Sequence, residues 1–158
     1  MIFVTVGTQL PFDRLIRTID EMAPLLNGEK IIAQTNGGKY IAKNIECIAY
    51  FSSEEFNTII SRARMIISHA GIGSIISALT YKKPIIIMPR RASLGEHRND
   101  HQLATARKMD ELKFVNVAYD EQQLRDFMLN RNIQSLHVLG DHASDTLIRS
   151  IADFIMDR

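Results

Sequence analysis

The sequence predicts one α/β domain built on a doubly wound parallel sheet of about six strands. Short, β-branched apolar runs alternate along the chain with segments of helical period. The glycine-bearing and polar clusters fall where a strand-like run gives way to a helix, the place where parallel sheets keep their chemistry.

The first run, Ile2–Val6, reads as a strand. Phe12, Leu15, Ile16, Ile19, Ala23 and Leu26 follow at i, i+3, i+4, i+7 spacing and predict an amphipathic helix. Lys30–Gln34 and Ile45–Ala49 give the next two strands. Phe56, Ile59, Ile60 and Ala63 mark a second helix, for which Ser53 is the expected N-cap. Met65–Ser68 is a fourth strand, and a helix carrying Ile75, Ile76 and Leu79 starts near Gly73 and stops before Pro84. Pro84–Met88 is the fifth strand, followed by a polar, basic loop, Arg90–Asp100, and a weaker helix over His101–Leu112. Phe114–Val117 closes the sheet, and Leu124, Phe127 and Met128 define a fifth helix. After an irregular stretch, Asn130–Asp141, a last helix over 143–157 carries Leu147, Ile148, Ile151, Phe154 and Ile155, and faces either its own domain or a partner. The pattern as a whole is Rossmann-like.

A length of 158 residues suits a single domain spanning 1–158, and 46% hydrophobic residues supply a core. A net charge of +1 gives no global attraction to nucleic acid. Cys47 is the single cysteine, so no internal disulfide can form; within the apolar run Ile45–Ala49 it reads as a small buried hydrophobe. The N-terminus lacks the charged region and cleavage site of a signal peptide. The longest apolar stretch, Pro84–Pro89, falls far short of the ~20 residues that span a bilayer, so a cytoplasmic protein is expected.

Three strand-to-helix turns should open on one edge of the sheet: Gly7-Thr8-Gln9, Ser68–Ser74 and Gly95–Gln102. In the second, Gly71 and Gly73 beside a helix start let backbone approach a ligand, and the helix N-terminus favours an anion that Ser74 could also hydrogen-bond. A tight turn with a capping serine fits the same residues. His69, at the strand end, is either a structural hydrogen-bonder or a catalytic residue that donates to a diphosphate. In the third turn Asp100 could accept from sugar hydroxyls or cap the helix, Gln102 offers both donor and acceptor to a hexose, His101 lies between them, and Glu96 could do carboxylate work. Arg90, Arg91 and Arg98 could meet phosphates. The sequence has no Asp-x-Asp, no zinc-ligand spacing and no Gly-x-Ser-x-Gly, so no metal or cofactor is expected.

Val4–Gln9 with Phe12–Ile16, then Ser68–Ser74 (SHAGIGS), then Gly95–Gln102 (GEHRNDHQ), resemble in order the small glycosyltransferase subunits of bacterial polysaccharide synthesis. These are similar to the C-terminal half of MurG-type GT-B enzymes (glycosyltransferase family 28) and to the soluble subunit of dolichol-linked chitobiose synthase. The resemblance implies a GT-B C-terminal-type domain that binds a UDP-sugar. Gly71, Ile72, Gly73 and Ser74 would approach the diphosphate, Gln102 the sugar, with Asp100 and His101 assisting and Gly7–Gln9 facing the interdomain cleft. It further implies metal-independent transfer of a hexose to a lipid-diphosphate-linked saccharide in exopolysaccharide or capsule synthesis. The acceptor site and base would come from a membrane-anchored partner subunit, which would hold this chain at the inner face of the membrane. One position departs: MurG-type sequences carry a ribose-binding glutamate where this chain has Ser77, so Glu96 or Asp100 would substitute or nucleotide recognition would loosen. A stand-alone UDP-sugar enzyme and a non-catalytic binding module use the same residues differently and remain open at this level.

Overall fold

The computed structural model describes residues 1–130 and 132–137; the expected last helix, 143–157, lies outside them. In chain order the elements are β1 (Ile2–Thr5), α1 (Asp13–Met22), a 3-10 turn (Ala23–Leu26), β2 (Ile31–Gln34), β3 (Glu46–Ile48) and α2 (Ser53–Arg62). There follow β4 (Met65–His69), α3 (Ile72–Thr80), β5 (Ile85–Met88), a 3-10 turn (Ala92–Leu94), α4 (His101–Glu111), β6 (Asn116–Val117) and α5 (Glu121–Leu129). Every strand pair is parallel and the sheet order is β3-β2-β1-β4-β5-β6. The winding reverses between β1 and β4, and the carboxyl ends of those strands flank the switch point where such sheets bind ligands.

Helices cover both faces because the central strands are apolar on both. In β1, Ile2 and Val4 enter one core with Leu15, Ile16 and Ile19 of α1 and Leu124 and Met128 of α5. Phe3 points the other way, into a core with Ile60 of α2 and Ile75 and Leu79 of α3. The same alternation sends Ile67 to the first core and Ile66 to the second. Each such side chain, fully buried, contributes roughly 1.5–3 kcal/mol.

Three local expectations change. The apolar stripe of the first helix runs to Leu26, but α1 ends at Met22 because Pro24 has no N–H to continue the ladder, and the chain tightens into a 3-10 turn. The N-cap of α2 is Ser52, not Ser53: its Oγ accepts from Glu55 N (3.2 Å) while Glu55 Oε2 accepts from Ser52 N (2.8 Å), a reciprocal box that satisfies two end groups. Cys47 is exposed, because β3 is a three-residue edge strand whose Glu46 and Cys47 face solvent.

The connection from β2 to β3 is fixed by acids of α1. Asp20 is buried, and its carboxylate accepts from Tyr40 Oη (2.9 Å), Lys43 N (3.0 Å) and Asn44 N (2.6 Å). Burial opposes its charge, but those backbone N–H groups and the tyrosine hydroxyl outweigh it and hold the carboxyl below its ordinary range. Asp13 adds a second tie, accepting from Lys39 N at 3.1 Å.

Candidate functional site

The three turns meet. At the carboxyl edge of the sheet lies a cleft of about 720 Å³, lined by Gly7, Thr8 and Gln9 from the first turn and His69 with Gly71–Ser74 from the second. Arg90, His101 and Gln102 complete it from the third.

His69 ends β4 at the floor of this cleft, beside the two glycines. A Cβ built on Gly7 would fall 2.7 Å from the ring's Cε1, and one on Gly71 would collide with its Nε2. Both positions exclude a side chain because the imidazole occupies the space. Gly7 also has φ +76°, a conformation that favours glycine, and its N–H donates to Thr5 Oγ1 at 3.2 Å. Thr5 Oγ1 in turn donates to Gln34 Oε1 (3.0 Å), a buried pair that closes the bottom of the cleft between β1 and β2.

Burial first, and the nearby Arg90 cation second, push the His69 imidazole down from 6.5 to about 4. The ring is therefore neutral at physiological pH, able to donate or accept one hydrogen bond but not to carry charge. Between pH 6.5 and 4 the unfolded chain binds a proton at this position that the folded chain does not, so stability falls as the pH drops through that window. Wild type should lose about 2–3 kcal/mol there through this group, and His69→Gln should lose that much less. Urea denaturation at pH 7 and pH 4.5 checks it; parallel profiles for the two proteins would refute the assignment.

α3 begins directly beside the ring. Gly71 is its N-cap and supplies no side-chain cap, so the first-turn N–H groups of Ile72, Gly73 and Ser74 are left for a ligand. Ser77, at the position of the missing glutamate, lines the cleft and donates its hydroxyl to Gly73 O at 2.9 Å.

The third segment behaves differently from a solvated basic loop. Arg90 is buried, stacks over Phe12 at 5.0 Å and donates from Nη2 to Val6 O at 2.9 Å and to Leu10 O. Gln102 is 4% exposed and accepts through Oε1 from Arg90 N at 3.1 Å. Its oxygen is thus engaged, and its amide NH2 is the group without a partner among the described residues, a donor rather than the donor–acceptor pair expected. His101 contacts Asn99 through its ring Nδ1 and packs edge-on against His97, centroids 4.4 Å apart.

Four sequence candidates stand outside the lining. Glu96 is committed to Arg14 of α1 (Nε to Oε1 2.5 Å, Nη2 to Oε2 2.8 Å) and accepts from Arg91 N at 2.9 Å. Asp100 occupies the N-cap position of α4 without capping it; its Oδ1 accepts from Ala92 N at 2.8 Å and folds the loop back on itself. Neither carboxylate lines the cleft. Arg91 donates from Nη2 to Tyr119 O, and Arg98 is exposed and away from the lining. Conversely, Thr5, Gln34, Tyr50, Phe51, Phe56, Asn57 and His97 line the cleft without having been singled out. A polar residue closing an apolar strand was a readable signal for Gln34, and helical spacing from His101 for His97; the segment after β3 carried none.

Sheet order, switch-point cleft and uncapped helix start together define a Rossmann-like domain. The structure superposes on MurG of Acinetobacter baumannii with a TM-score of 0.60 at 17% identity, over 99% of this chain and 49% of that one. It superposes on the solution structure of ALG13 with a TM-score of 0.60 at 19% identity, over 95% and 93% of the two chains. The sequence profile of the glycosyltransferase family 28 C-terminal domain matches residues 1–143, and the chain belongs to that family. A curated relative, the UDP-N-acetylglucosamine transferase subunit ALG13 of Candida albicans, is 32% identical over 89 residues. That match covers 56% of this chain and 29% of the relative, so the chain spans under a third of that protein's length.

Proposed function

We propose that this domain is the donor-binding part of a metal-independent hexosyltransferase, holding a UDP-sugar in the switch-point cleft. The observation that carries the reading is the convergence of Gly7–Gln9, Gly71–Ser74 and Gln102 on one cleft whose lining, among the described residues, contains no carboxylate. Such a lining suits a diphosphate: the α3 N-terminus and Ser74 meet phosphate oxygens, and the Gln102 amide donates to the hexose. Transfer also needs the acceptor hydroxyl deprotonated. That base is assigned to a membrane-anchored partner subunit carrying the acceptor site for a lipid-diphosphate-linked saccharide of exopolysaccharide or capsule synthesis. In this reading the domain works in the cytoplasm, at the inner face of the membrane, through that partner. The similarity to a chain described as a UDP-N-acetylglucosamine transferase subunit supports the subunit role.

Calorimetric titration of UDP, a panel of UDP-sugars and ADP tests it. UDP should bind in preference to ADP, and Gln102→Ala should weaken the intact UDP-sugars by about tenfold while leaving UDP near wild type. Equal binding of ADP, or equal loss for UDP and its sugars, would remove the uridine preference and the hexose role of Gln102 respectively from the proposal.

A further inference from the structure

Arg90 is 2% exposed, yet no carboxylate among the described residues pairs with it. Glu96, whose field reaches it, is bound to Arg14. Its Nη2 protons go to two main-chain carbonyls, Val6 O and Leu10 O, which fix the side chain but carry no full charge. Its Nε is buried without any hydrogen-bond partner. Burial lowers the guanidinium to about 10, still charged at neutral pH. A buried, unpaired cation costs several kcal/mol unless something compensates it. Apart from those carbonyls the guanidinium has only the face of Phe12, 5.0 Å away, as a partner, and the residue lines the cleft. The field of Arg90 also depresses His69 and His97, so it acts on the same floor, and the His97 ring has its own buried, unpartnered Nδ1. Beside His69 stands Gly71, the N-cap of α3.

We propose that Arg90 is the cleft's second anion-binding group, taking one phosphate of a diphosphate whose other phosphate rests on the first turn of α3. Arg91 and Arg98 have no such part, since neither lines the cleft. The inference rests on the reading of the cleft as a nucleotide-sugar site, and it adds that recognition requires two adjacent negative groups. A monophosphate can satisfy only one end.

The test is a calorimetric titration of the whole chain, and of Arg90→Met and Arg90→Lys, with pyrophosphate, uridine, UMP, UDP and UDP-glucuronate. Circular dichroism and thermal melts check each variant's fold. Arg90→Met should weaken pyrophosphate and UDP by at least about tenfold and UMP by less, and leave uridine within about twofold. Arg90→Lys should recover part of the loss, because it keeps the charge without the planar fork. Retained uridine binding shows that the cleft of the variant is intact. If wild type binds pyrophosphate but neither uridine nor UDP in preference to ADP, the nucleotide reading fails and the Arg90 assignment stands. The assignment is overturned if wild type binds neither pyrophosphate nor UDP, or if Arg90→Met weakens uridine and UDP equally or neither. A loss confined to UDP-glucuronate also overturns it, moving the contact to a sugar carboxylate.

Discussion

Gly71→Ala should reduce UDP-sugar affinity by at least about 100-fold and destabilise the fold by about 1–3 kcal/mol. The backbone itself gives no reason for this, since Gly71 has φ −93° and ψ 130°, which alanine adopts freely. The cause is steric. A Cβ there would run into Nε2 of His69 and lie 2.7 Å from Cε1 and 2.9 Å from Cδ2. Either the imidazole swings into the cleft or the Gly71 main chain shifts and the N–H groups of Ile72–Ser74 lose their aim. Shifting donors by a fraction of an ångström is costly where recognition depends on them. Removing the obstacle should reverse the stability loss, so Gly71→Ala combined with His69→Ala should be more stable than the sum of the single effects. Denaturation curves of the three variants and calorimetry on Gly71→Ala decide it; wild-type affinity in that variant would show that the ring and glycine do not constrain each other.

Arg14→Met carries the second largest expected loss, about 3 kcal/mol of stability. Arg14 sits on α1, and both it and Glu96 are nearly buried, at 13% and 12% side-chain exposure. Its guanidinium also donates to Pro89 O at 3.2 Å and to Glu121 Oε2 at 3.3 Å, so one side chain ties α1 to the end of β5, the following loop and the start of α5. Deleting it leaves Glu96 with the Arg91 N–H and no cation. The loop it anchors leads into His97, His101 and Gln102, so UDP-sugar affinity should fall as well, although Arg14 lines no part of the cleft. A double-mutant cycle with Glu96→Gln measures the coupling, expected to be about 1.5–3 kcal/mol. Additive losses would mean the two residues act separately.

What could be read from the chain was whatever depends on near neighbours. The six strands lie within a residue or two of the apolar runs, and the turns around Gly7, Gly71 and Gln102 do share an edge, because parallel β–α units place every such turn on the same side. The box formed by Ser52 and Glu55 was written in its three-residue spacing and was missed in favour of the next serine. Other features depend on partners distant in sequence. Nothing local distinguishes Arg90 from Arg91, yet one is buried under the first turn and the other holds Tyr119 O. Glu96 sat in a motif of candidate ligands, and only the arrival of Arg14, on the first helix, removes it from them. The exposure of Cys47 follows from β3 being an edge strand, a matter of sheet order that an apolar run cannot reveal.

The central place of β1 bears on how the molecule must assemble. β1 is bonded on one side to β2 and on the other to β4, with Ile2 opposite both Ile31 and Met65. Until β4 has been made, β1 presents an open edge and buried-type residues with half their neighbours missing. Closing that second pairing brings together segments far apart in the chain, the kind of step that slows folding in parallel sheets. Gly7 meets the His69 ring only when that pairing is complete, whereas Gly71 already stands beside it in the turn after β4. Recovery of ligand binding after dilution from denaturant should therefore coincide with the slowest refolding phase rather than with the early gain of helix.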